Sequence, residues 1–73
     1  MSLNFAIEIE QEADGRWIAE IPALPGVMVY GNSETEAVRA VQALALHVLA
    51  ERVGKDTTLA PERELVVSFT CAP

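Results

Sequence analysis

The chain has 73 residues, a net charge of −6 from eleven acidic and five basic side chains, and an apolar fraction of 51%. That length makes a single domain, residues 1–73, and a core so small buries only about 60% of the unfolded surface. One cysteine, Cys71, excludes an intrachain disulfide; with one histidine it also falls short of the four ligands of a structural zinc, so no metal or other cofactor is expected.

Residues 3–11 alternate, with Leu3, Phe5, Ile7 and Ile9 on one face and Asn4, Ala6, Glu8 and Glu10 on the other. A period of two is that of a half-buried strand. Asp14-Gly15 marks a turn, and Arg16 to Ile21 return as a second strand. A two-residue loop would set Ile9 against Glu20 and mix core with solvent. A three-residue loop, Ala13-Asp14-Gly15 with Gly15 in the left-handed region, pairs Ile9 with Ala19, Ile7 with Ile21, and Trp17 with Gln11. The outer face then carries Glu8 opposite Glu20, a like-charge pair that a cationic partner would relieve.

Pro22 and Pro25 each remove a backbone donor, so the ladder must break across 22–26. Val27 to Tyr30 resume as a short third strand, apolar on both faces and placed at a sheet edge. Ser33 followed by Glu36 has capping-box spacing, and Glu34 and Glu36 suit the positive end of a helix. Ala37, Val41, Leu44, Ala45 and Val48 form an inward stripe at helical spacing. Gly54 ends that helix after about five turns. Its outer side carries Arg39, Gln42, His47 and Glu51, but also Ala40, Ala43 and Leu46. Lys55 to Arg63 is a polar loop containing Pro61, and Glu64 to Thr70 is a fourth strand. A helix between strands three and four implies a parallel crossover. The predicted fold is α+β, in the order β-β-β-α-β. Its mixed four-stranded sheet has order 3-2-1-4, with the helix on one face.

Three blocks then stand in order: Glu12-Ala13-Asp14-Gly15-Arg16-Trp17, Ile21-Pro22-Ala23-Leu24-Pro25-Gly26-Val27, and Gly31-Asn32-Ser33-Glu34-Thr35-Glu36-Ala37 opening an alanine-rich helix. Together they resemble the N-terminal domain of HicB antitoxins: a D-G hairpin with an aromatic, a P-x-L-P-G segment, and G-[DN]-[ST]-x-x-E-A. The resemblance spans about residues 3–54, and Lys55 to Pro61 match the family loosely. It implies a truncated ribonuclease-H-like fold without nuclease activity. It also implies a partner: HicA, a small basic mRNA-cleaving toxin whose surface and active-site histidine the antitoxin covers. Many members continue into a helix-turn-helix or ribbon-helix-helix domain that binds operator DNA. This chain ends at Pro73, about where that domain would begin, so operator binding is not expected of it.

The acids concentrate early. Before residue 37, Glu8, Glu10, Glu12, Asp14, Glu20, Glu34 and Glu36 face only Arg16. Such a field repels phosphate backbones and suits a basic protein. Glu8, Glu10, Glu20 and Tyr30 are therefore the candidate partner-binding residues. Ala43, Leu46 and Val29 are candidates for an oligomer interface, since a small apolar-rich chain gains most by self-association into a dimer or tetramer. The alternative to an antitoxin is a solitary domain of the same kind that self-assembles without a toxin.

Catalysis is not expected. Two-metal hydrolysis needs converging carboxylates, and the only set is Glu8 or Glu10 with Glu36 and Glu64; Glu36 is explained by the cap, and strand one lacks a central aspartate. His47 has no Ser, Cys or carboxylate at a spacing that suggests a dyad, and reads as a surface residue. Cys71 reads as a small apolar residue near a strand end. Trp17 and Tyr30 lack the basic groove that a base-stacking platform needs. Gly15, Gly26 and Gly31 are turn glycines, not a phosphate loop. No apolar run reaches the length of a membrane span and no leader pattern opens the chain, so the expected location is the cytoplasm.

Overall fold

Alternation of apolar and polar residues resolves into strand β1, Ser2–Gln11, in the computed structural model, which describes residues 1–55 and 64–72. Strand β2 is Trp17–Glu20, β3 is Met28–Gly31, helix α1 is Glu34–Lys55 and β4 is Val66–Cys71. The sheet has order β3-β2-β1-β4, with β4 parallel to β1 and the other pairings antiparallel. This is the α+β, β-β-β-α-β arrangement that the patterning predicts. Of the predicted polar loop from Lys55 to Arg63, Lys55 instead closes α1, which runs on through Gly54, and residues 56–63 lie outside the described residues.

The hairpin register is the one that burial demands: Glu8 lies opposite Glu20, Ile9 opposite Ala19 and Gln11 opposite Trp17. Its loop has three residues. The Glu12 amide donates to the Arg16 carbonyl (2.7 Å), the Gly15 amide donates to the Glu12 carbonyl (3.0 Å), and Gly15 has φ +91°. That is a type I turn followed by a left-handed residue, the form that carries a bulge. Asp14 secures it, accepting from the Arg16 amide (3.0 Å) and from Arg16 Nε (2.8 Å). These bonds, the backbone one first, hold the Asp14 carboxyl below its ordinary pKa.

Between β2 and β3 the chain makes two turns in succession. The Leu24 amide donates to the Ile21 carbonyl (2.9 Å), and the Val27 amide donates to the Leu24 carbonyl (3.0 Å). Each turn has proline at its second position, where φ is already near the turn value. In the second turn Gly26 has φ +85°, the conformation that a type II turn requires at that place. Leu24, between the turns, is buried. The ladder therefore pauses and resumes where the Ile21 amide donates to the Val27 carbonyl (3.0 Å).

Ser33 Oγ accepts from the Glu36 amide (3.1 Å), and the Ser33 carbonyl accepts from the Ala37 amide (3.0 Å), so α1 begins as predicted. Only half of the capping box forms, because the Glu36 carboxylate makes no return bond among the described residues. The helix lies chiefly over β3 and β2 and less over β1. Ala37, Val41 and Ala45 pack against Phe5, Ile7, Ala19, Ile21, Leu24 and Val27. Small residues on the helix let it come close to the strands. Strand β4 lies beyond the helix, so Val67 and Phe69 are only half-buried, with the Phe69 ring 6.0 Å from that of Phe5. It starts two residues later than its sequence suggests. The Glu64 carbonyl instead accepts from the Met1 ammonium (2.7 Å), and parallel pairing begins where the Val66 amide donates to the Met1 carbonyl (2.9 Å).

Candidate protein-binding surface

One helix covers one face of the sheet, so the other face is left uncovered by the described residues. Two rows of side chains cross it. Met28, Glu20 and Glu8 occupy neighbouring positions on β3, β2 and β1; Tyr30, Ile18 and Glu10 form the next row. Neighbouring strands are about 4.8 Å apart, so Glu8, Glu10 and Glu20 form one acidic cluster. Beside it, Met28 and Tyr30 are 45% and 47% exposed, and Ile18 is half-buried. A shallow depression of about 360 Å³ is lined by Glu8, Ile9, Glu10, Ile18, Glu20 and Ala72.

No cation among the described residues neutralises this cluster. Arg16, the only base before Arg39, is held at the hairpin tip by Asp14, and its guanidinium sits 4.6 Å from the Tyr30 ring centroid. An aromatic and a methionine next to unpaired carboxylates make a surface that can accept hydrogen bonds from Lys or Arg while burying apolar area.

The four residues predicted for partner binding, Glu8, Glu10, Glu20 and Tyr30, thus share this uncovered face. Ile18 and Met28 complete it; the parity that puts Ala19 in the core puts both of them here. On the opposite side of the molecule, Ala43 and Leu46 are exposed, and Ala50 and Val53 extend the line at three- and four-residue steps, with Leu46 49% and Val53 64% exposed. Val29, the third residue considered for an oligomer interface, lies opposite Ala19 and packs, half-buried, against the core beneath α1.

His47 is a surface residue, as the sequence predicts. Glu51 follows it by one helical turn, and Nε2 lies 3.5 Å from Glu51 Oε1. Both side chains are more than half exposed, which makes this a solvated surface pair. The carboxylates weighed for two-metal chemistry are dispersed: Glu8 and Glu10 on the uncovered face, Glu36 at the helix start, Glu64 beside Met1. Among the described residues no group of three or more His, Cys, Asp or Glu is placed to hold a metal ion. Nor is any described helix long and apolar enough to cross a membrane. No family model, curated protein or solved structure matches the chain.

Proposed function

We propose that the chain is a HicB-like, antitoxin-type binding module. It holds a small basic mRNA-cleaving toxin against the uncovered face of its sheet and neutralises it by masking. The observation that carries this reading is the cluster of Glu8, Glu10 and Glu20, without a cation partner among the described residues, beside Ile18, Met28 and Tyr30. The β-β-β-α-β order and the three sequence blocks support the likeness to HicB and its partial ribonuclease-H-like fold. The module works in the cytoplasm as a homo-oligomer; its role is to bind protein, and it needs no cofactor, catalytic residue or nucleic acid of its own.

Co-expression with the basic toxin-like product of a neighbouring reading frame tests the proposal. Growth rescue and co-purification are expected, and Glu8→Lys with Glu20→Lys abolishes both. Failure of the parent chain to rescue or co-purify overturns the reading. A second reading, a solitary domain that self-assembles without a toxin, draws on the exposed line Ala43, Leu46, Ala50 and Val53. It is favoured where no small basic reading frame lies beside the gene.

A further inference from the structure

Strand β4 forms one edge of the sheet, and its backbone has a defined polarity. The Val66 amide donates to Met1 and the Ala72 amide donates to Ile7 (2.8 Å), both on the β1 side. Alternate residues of a strand turn their backbone groups to opposite edges. Val66, Ser68 and Thr70 therefore face β1, and the amides and carbonyls of Val67, Phe69 and Cys71 face outward, with no partner among the described residues. Sheet edges are commonly protected by charge, proline, a bulge or extreme shortness. Strand β4 has none of these: six residues, Val66–Cys71, without a charged side chain or a proline. The other edge, β3, is four residues long and follows directly on the Pro25-Gly26 turn.

We infer that β4 pairs antiparallel with β4 of a second copy about a two-fold axis at Ser68, which joins the two sheets into one of eight strands. Self-complementarity singles out a second copy. In that register Val67 lies opposite the partner's Phe69 and exchanges both backbone hydrogen bonds with it, and Phe69 does the same with the partner's Val67. A β-branched residue against an aromatic is a favourable cross-strand pair. It also brings apolar area to Val67 and Phe69, which α1 leaves half-covered. On the opposite face Val66 meets the partner's Thr70, and Ser68 meets its own copy. Charge points the same way. Two chains of net charge −6 repel one another, and an uncharged edge is where they can approach. An isologous pairing also closes, leaving no β4 edge free for a third copy.

The inference does not depend on the toxin reading, and its test needs only this chain. Light scattering of the full chain at micromolar concentration should give twice the chain mass. Ser68 is exposed, so Ser68→Lys leaves the monomer fold intact, with an unchanged circular dichroism spectrum. It places like charges face to face on the axis and should halve the mass. Residues meeting at a non-hydrogen-bonded position have Cα atoms about 4.5 Å apart, within disulfide range. Ser68→Cys in a Cys71→Ser chain should therefore give a covalent dimer on mild oxidation. A parent chain of monomer mass overturns the inference. So does a dimer that survives Ser68→Lys, or one that Leu46→Glu dissociates while Ser68→Lys does not.

Discussion

The Cβ that Gly31 lacks would lie 2.6 Å from the backbone nitrogen of Ala37 and 2.9 Å from its Cα. The last residue of β3 and the first turn of α1 are thus in backbone contact, and the two nearest atoms that would have to yield are main-chain atoms. Gly31→Ala should destabilise the fold by about 1–3 kcal/mol. Each kcal/mol lowers the melting temperature of a domain this size by about 4–8 °C. A thermal melt followed by circular dichroism reads the effect. An unchanged melting temperature would show that the helix start can move away from β3.

The half-formed capping box separates two neighbouring side chains. Ser33→Ala removes the acceptor for the Glu36 amide and should cost about 1 kcal/mol. Glu36→Gln removes only a charge near the helix start, worth about 0.3–1 kcal/mol. Urea unfolding of the two variants should rank Ser33→Ala as the more damaging.

The hairpin tip gives a pH signature. The two bonds from Arg16 lower the folded-state pKa of Asp14 below the ordinary carboxylate value. Their contribution is therefore complete above the unfolded-state pKa and disappears as pH falls through the lower, folded-state value. Asp14→Asn should be less stable than the parent at neutral pH and equal to it in strong acid. Melting temperatures taken across the acid range test this, and a difference that persists below both pKa values would contradict the assignment.

The opposed acids Glu8 and Glu20 set stability against binding. Glu20→Gln removes a like-charge cross-strand pair and should raise stability by up to about 1 kcal/mol. The same change should weaken binding of a basic protein partner and flatten the salt dependence of its affinity. A variant that gains stability and keeps full affinity would place the partner elsewhere.

Much of this was legible because strand parity is unforgiving. Once Ile9 must face Ala19, Glu8 must face Glu20, and the loop must have three residues. Ser33 opens the helix found at Glu34–Lys55, whereas Gly54, expected to stop it, lies one residue inside its end. A four-residue strand apolar on both faces does not show its inner side, and that of Val29 becomes fixed only when Ala19 is set opposite it. The acids of the candidate surface were readable from the same alternation, but their apolar companions Ile18 and Met28 look like core residues until a sheet with one helix leaves a face uncovered. The polarity of the β4 edge depends on which residues turn their amides to β1, and composition carries no trace of that.

The parallel pairing of Ser2 with Val66 and of Ile7 with Cys71 joins segments separated by nearly the whole chain. Closing that loop costs roughly 2–3 kcal/mol more in chain entropy than closing the three-residue hairpin. Local contacts should therefore form first, with the hairpin, the double turn and the helix as the expected nucleus and β4 docking afterwards. Loosening β4, as in Val67→Ala, should speed unfolding and leave the folding rate nearly unchanged. On the ribosome, the outer side of β1 stays without its neighbour until residue 71 has emerged, and the nascent chain is most prone to mispairing during that interval.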